Sequence, residues 1–283
     1  MAHFPTTRIP GTVFEAGYIA KGAIYSLIGI LAFQTAIGRG GDTTSSQGAL
    51  EHVGNQPFGQ VLLWLLAIGV FGYAMWRFVD GFLDASDRGS DAKGALQRVG
   101  IVISGMLYTG LGISAIRIAT AGGGSSGGSR KQEATAWLMS KPGGEVLVAI
   151  VGIIVLVVGL SHFWRAYKGS FMDHFSRVHG KTRDLVRNVS IAGLSARGVT
   201  FLIIGALVVQ AALTHDPSQT GGLDKALQTL AAQPFGPWLL GIVALGLLCY
   251  GAYCLCVAYF GTFPDVEISG ETVHQLGTGH TAY

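Results

Sequence analysis

Apolar and charged positions along this 283-residue chain fall into long separate blocks. Six stretches carry no Asp, Glu, Lys or Arg: 22–38, 52–76, 99–116, 146–164, 198–215 and 226–264. Each has an apolar centre and at least 17 residues. A bilayer core ~30 Å thick is crossed by about 20 helical residues. Only helices and closed barrels satisfy their backbone hydrogen bonds inside it. The period-two alternation of barrel strands is missing. The pattern therefore predicts six transmembrane helices, near 17–37, 58–78, 100–120, 145–166, 193–213 and 237–260. The fold class expected is an all-α integral membrane protein.

The blocks are copies of one another. "QPFG" stands at Gln56–Gly59 and again at Gln233–Gly236, an offset of 177 that also carries Ala49-Leu50 onto Ala226-Leu227, Gly69 onto Gly246 and Tyr73 onto Tyr250. At an offset of 176, "GYIAKG" from Gly17 maps onto "GLSARG" from Gly193, Gly29 onto Gly205 and Gln34 onto Gln210. A worn middle copy starts at "GIVISG" from Gly100, matches Tyr25 to Tyr108 and Gly29 to Gly112, and has "KPGG" at Lys141–Gly144 in place of QPFG. A unit repeated in this way is one supersecondary piece completed by its neighbours. The units read as three helical hairpins over 13–84, 94–170 and 190–261, followed by a polar tail over 262–283.

Ahead of each QPFG lies a short amphipathic stretch, "QGALEHVG" or "LDKALQTLA", that predicts a short interfacial helix in each external loop. QPFG is then the corner where this helix turns into the second span. Pro suits a first helical turn. Gly permits the tight turn. Phe58 and Phe235 are expected to anchor at the interface. Paired hairpins with an [AS]-x-G start, a Gly-Ala-Leu loop helix and a QPFG corner resemble the bacterial membrane-protein family known as domain of unknown function 1206, over roughly 13–261. That resemblance implies a three-repeat integral membrane protein of the bacterial plasma membrane. It implies no activity and no catalytic positions.

Charge adds orientation. Only 12% of residues are charged, against about 25% in soluble domains. The net charge of +3 gives no case for nucleic acid. Thirteen of the 19 Lys and Arg fall on the side of the two termini and six on the other. The positive-inside rule then predicts cytoplasmic termini. The first span follows a sixteen-residue polar lead without an A-x-A-like site and reads as an uncleaved signal-anchor. Between Arg165 and Ser190, six Lys/Arg face two Asp. A basic segment there is expected to attract anionic lipid. Cys249, Cys254 and Cys256 all fall in the last span and read as soft apolar filler.

Two sets of positions recur at matched sites. Gly22, Gly29 and Ala36, Gly105, Gly112 and Ala119, and Gly198, Gly205 and Ala212 form seams of small residues every seven positions. Such a seam drifts only ~20° per step round a helix. Small seams let helices approach closely in lipid. They predict tight packing of the three odd-numbered spans through these faces, with a pseudo-threefold axis as one arrangement. The polar set is Lys21, Ser104 and Arg197 at one end and Gln34, Arg117 and Gln210 at the other. Ionisable groups in a membrane are functional candidates. Lys21 and Gln34 lie ~140° apart round their helix, so they line no single stripe. Snorkelling to the two interfaces is the plainer expectation. Arg77 and Asp80, at i and i+3 past span two, read as a helix-surface ion pair.

Other motifs exclude more than they suggest. His162, His174 and His179, spaced by 12 and 5 without carboxylate or Cys companions, make no metal motif. "AGGGSSGGSRK" over Ala121–Lys131 lacks the G-K-[ST] of a phosphate loop and reads as a flexible external linker. No cofactor and no catalytic constellation is expected. Three function classes follow. A non-catalytic scaffold or interaction protein, with a homo-oligomer or another membrane protein as partner, is favoured by the glycine seams and by the lack of ionisable residues at mid-span. A small-solute channel or transporter with a site between the repeats is the alternative. An interfacial enzyme has only the His and basic residues near span four in its favour.

Overall fold

A computed structural model describes residues 7–9, 11–84, 89, 91–121, 127–175, 178–261 and 266–268. Most of the predicted polar tail and positions 122–126 of the glycine-rich stretch lie outside the described residues. Among the described residues, six long helices are apolar enough to cross a membrane: α1 (Gly11–Ala36), α3 (Gly59–Leu83), α4 (Ala92–Ala121), α6 (Gly144–Lys168), α7 (Gly180–Thr214) and α9 (Gly236–Phe260). Short helices α2 (Ser46–Gly54), α5 (Gly127–Met139) and α8 (Leu223–Ala231) precede α3, α6 and α9. The protein is a multi-pass helical membrane protein. Two short strands, β1 (Thr7–Ile9) and β2 (Val266–Ile268), pair antiparallel and tie the two ends of the chain together.

Several boundaries differ from the sequence reading. The end of the expected linker is already helical, since α5 starts at Gly127. The basic connection after α6 is short: a 3₁₀ turn spans Ser170–Phe175, and α7 starts at Gly180. Phe171 and Phe175 bury themselves against Tyr253. This apolar docking lets the helix begin well before Gly193, where the hydrophobic pattern alone starts it.

The seams of small residues are packed closely, but against different partners from those expected. Helices α1, α4 and α7 make no extensive contact with one another among the described residues. Each instead packs on the second spanning helix of the preceding hairpin, in the pairs α3 with α4, α6 with α7, and α9 with α1. A Cβ on Gly105 or Gly112 would meet the rings of Phe78 and Phe71 at 3.0 and 2.9 Å. One on Gly198 or Gly205 would meet Phe163 and Leu156 at 2.7 and 2.8 Å, and one on Gly22 or Gly29 would meet Leu255 and Leu248 at 2.9 and 2.8 Å. These knobs are themselves seven residues apart and repeat at offsets of 85 and 177. Three equivalent knob-and-seam interfaces therefore join the hairpins in a cycle.

The cycle is open at one place. The helices of hairpin one pack together (α1 with α3), and so do those of hairpin three (α7 with α9). Among the described residues, α4 and α6 of the middle hairpin do not. The order is therefore an arc, α4-α3-α1-α9-α7-α6. The buried share of the spanning window falls from 56% in α1 and α9 to 22% in α4 and 17% in α6, as the ends of an arc require.

The sequence explains the break. Where hairpins one and three close, a Cβ on Gly69 would strike Ala20 Cβ at 2.6 Å, and one on Gly246 would run into Ala196 Cβ. The matching residues of the middle hairpin are Ile103 and Ile154, 51% and 55% exposed. Two β-branched side chains where the others have Ala and Gly hold the helices apart. The loop helices follow suit. Leu50 of α2 and Leu227 of α8 are fully buried and plug the bundle end, whereas the matching position on α5 is Thr135, beside an exposed Trp137.

The corners are three copies of one turn. Gly59, Gly236 and Gly144 donate their N–H to the carbonyls of Gln56, Gln233 and Lys141 at 2.8, 2.8 and 2.9 Å. The left-handed residue is the third one, with φ of 61° at Phe58, 62° at Phe235 and 74° at Gly143. The tight turn expected of the fourth residue thus takes its left-handed backbone at the third. The fourth-position glycine is needed for closeness instead, since a Cβ there would run into the carbonyls of Val53, Ala231 or Leu138.

Candidate functional site

Tyrosines and cations converge on the interior of the arc, on the side of the chain termini. Lys21 does not snorkel. It is 6% exposed, and its ammonium donates to Tyr73 Oη at 2.8 Å. The same Nζ lies 4.4 Å from the centroid of the Tyr73 ring, 5.5 Å from those of Tyr108 and Tyr250, and 5.8 Å from that of Tyr18. Four helices, α1, α3, α4 and α9, thus surround one ammonium.

Arg197 on α7 enters the same interior. Its guanidinium carbon is 4.6 Å from the Tyr250 ring, 4.8 Å from Tyr25 and 5.0 Å from Phe201. Its Nε and Nη1 are fully buried and have no hydrogen-bond partner. Arg77 supplies a third cation, with its carbon 5.7 Å from the Tyr73 ring and its Nε donating to Ser104 Oγ at 3.3 Å.

The internal repeat gives this arrangement its logic. Lys21, Ser104 and Arg197 are equivalent on the first spanning helices, and Arg77, His162 and Cys254 are equivalent on the second. Each of the three knob-and-seam interfaces therefore holds one of the cations Arg77, Arg197 and Lys21 at a common level. The expected surface pair of Arg77 and Asp80 is not at the surface. Both residues lie within α3, Arg77 half-buried and Asp80 2% exposed, because Trp76 and Val79 on the same turns pack against Phe14 of α1.

The electrostatics are unbalanced. Removing an ion from water costs several kcal/mol even in a relaxed protein. A desolvated cation–π contact returns about 2 kcal/mol. Asp80 supplies a buried carboxylate one turn beyond Arg77 on the same helix. Lys21 and Arg197 have no ion-pair partner among the described residues. What remains is a buried concentration of positive charge among the rings of Tyr25, Tyr73, Tyr108 and Tyr250, which would attract an anionic group.

The other candidates stand apart. Gln34, Arg117 and Gln210 are exposed on the outside of α1, α4 and α7 and do not join the cluster. His162 stacks on Phe201 with centroids 5.3 Å apart, and its Nδ1 lies 2.8 Å from the Val158 carbonyl. The side chain of His174 lies outside the described residues. Sequence reasoning missed the tyrosines as site residues, although the matched pairs Tyr73 with Tyr250 and Tyr25 with Tyr108 were the available signal.

The family model described as Domain of Unknown Function (DUF1206) matches residues 16–84, 99–169 and 192–261, one match to each hairpin. The chain belongs to this family. A relative from Bacillus subtilis (strain 168), the "Uncharacterized protein YxxB", is 34% identical over 241 residues, which is 84% of this chain and 86% of the relative. No solved structure matches. The three matches of this DUF1206 protein meet at the cation cluster, which draws at least one residue from each of them.

Proposed function

We propose that this protein binds an anionic solute between its repeats and belongs to the channel or transporter class rather than to the scaffolds. The carrying observation is Arg197, whose Nε and Nη1 are buried without a hydrogen-bond partner, close to Lys21, a second cation with no ion-pair partner among the described residues. Intramembrane ionisable groups mark substrate pathways by default. Repeat transporters place their sites at repeat interfaces. The scaffold reading rests on the glycine seams and on a lack of ionisable residues at mid-span, and the burial of Lys21 and Arg197 among the helices weakens the second of these supports. No enzymatic step is part of the proposal, because the cluster contains no nucleophile paired with a base.

The excess of Lys and Arg on the side of the termini supports cytoplasmic termini, and the reading adopted is a bacterial plasma membrane. The basic segment then meets the anionic leaflet. A cleft of about 400 Å³ lined by Phe163, Ala166, Tyr167, Arg187, Ile191 and Ser195 offers a lipid headgroup an arginine above an apolar floor.

Anion-dependent thermal unfolding in nanodiscs, with chloride, phosphate and acetate as probes, tests the function. At least one anion is expected to raise the unfolding temperature saturably, and Lys21→Met and Arg197→Met should each weaken that response at least tenfold. Flux of the responding anion into proteoliposomes then separates transport from binding alone. Indifference to all three anions, or responses unchanged in both variants, would overturn the proposal.

A further inference from the structure

Resting on the anion-site reading, we propose that the anion is amphipathic, a single-chain alkyl carboxylate whose head occupies the cation cluster and whose chain lies in the seam between α4 and α6. The seam opens at the level of the cluster. Val158 stands where the equivalent residues of α3 and α9 are Tyr73 and Tyr250, two walls of the site, and Ser104 stands where the others have Lys21 and Arg197. On this side the cluster therefore lacks the tyrosine that the other two second spanning helices supply.

The seam lining is aliphatic. Ile103 and Leu107 on α4 are 51% and 71% exposed, and Val151, Ile154 and Val157 on α6 are 48%, 55% and 58% exposed. A second helix is a poor occupant, because the β-branched pair Ile103 and Ile154 replaces the Ala and Gly that permit close helix contact in the other hairpins. A flexible alkyl chain conforms to such a surface. It also reaches the cations from the bilayer without crossing the α2 and α8 plugs, whose Leu50 and Leu227 are fully buried. Small hydrated anions have no use for an aliphatic seam. An alkyl carboxylate uses both halves.

Binding of radiolabelled dodecanoate and acetate to the full chain in nanodiscs tests this proposal, read against protein-free discs. Dodecanoate is expected to bind saturably at least tenfold more tightly than acetate. Val158→Trp and Ile103→Trp place bulk in the seam at positions 37% and 51% exposed, so folding should survive. Each should cut dodecanoate binding at least tenfold and leave acetate unchanged, while Arg197→Met should weaken both. If acetate and dodecanoate bind equally and the seam variants change neither, the seam has no role, yet the anion site stands. If neither binds, the alkyl-carboxylate proposal fails, and the anion-site reading fails with it when chloride and phosphate also bring no response. Dodecanoate binding that is undiminished in Arg197→Met is bilayer partitioning and overturns the proposal. So does disulfide crosslinking of two copies through Ile154→Cys, with Cys249, Cys254 and Cys256 replaced by Ala, because a second copy then fills the seam.

Discussion

Two adjacent glycines at Gly143 and Gly144 show how one residue type answers two different physical demands. Gly143 has φ 74°, where any other residue crowds its own backbone. Gly144 has an ordinary helical backbone, and its missing side chain leaves room for the Leu138 carbonyl. Gly143→Ala is therefore expected to cost about 1 kcal/mol, the usual left-handed penalty. Gly144→Ala must move backbone to relieve its clash and should cost more, about 3 kcal/mol. Thermal unfolding of the two variants in detergent checks the order, and equal losses would refute it. Phe58 and Phe235 tolerate the same left-handed state in the other two corners, with their rings 84% and 79% exposed. The worn KPGG copy thus carries the better residue for its backbone, which the sequence alone did not reveal, because Gly at the fourth position drew the attention that belonged to the third.

At the scale of elements, the knob-and-seam interfaces are the repeating structural bond of the molecule. Inserting a branched side chain into one of them overpacks it at a typical cost of roughly 1–3 kcal/mol. Gly29→Ile should show that loss, since Leu248 and the Ala244 carbonyl stand 2.8 and 2.9 Å from a Cβ there. Gly110→Ile on α4, with nothing within 4 Å, should be nearly neutral by the same measurement. The contact face was legible in the sequence, because a period of seven keeps small residues together on a helix. The partner was not. A helical period states which side is small, but the knobs Phe71 and Phe78 look like any apolar residues until the opposing seam is known. The open side of the middle hairpin was half legible: Ile103 and Ile154 occupy the places of Ala20 and Gly69, but the comparison means something only once those two are seen in contact. Thermal unfolding of two variants tests this directly. Gly69→Ile should lose roughly 1–3 kcal/mol, since Ala20 Cβ stands 2.6 Å from a Cβ there, and Ile154→Val, at a position 55% exposed, should be nearly neutral.

At the scale of the molecule, the three interfaces bring three cations to one level without an equal number of carboxylates among the described residues, and stability and function then pull in opposite directions. A buried ionised group without a partner destabilises a fold, and replacing buried charge with a well-packed apolar side chain often stabilises it by about 1–4 kcal/mol. Arg197→Met fits this case, because methionine packs well against the rings of Tyr25, Tyr250 and Phe201 that the guanidinium now faces. In buffer poor in small anions, Arg197→Met is therefore expected to unfold at a higher temperature than the natural protein, and to lose the response when anion is added. Tyr73→Phe should behave in the opposite way. It removes the hydroxyl that Lys21 donates to and leaves a buried ammonium with one bond fewer, a loss of about 1–3 kcal/mol. The pair separates two roles for the cluster. A stabilising Arg197→Met with a silenced anion response means that the charge is kept for a ligand at the expense of the fold. A clear loss of stability in that variant would mean that the arginine is held in place as a structural strut, and the anion site would have to be sought elsewhere.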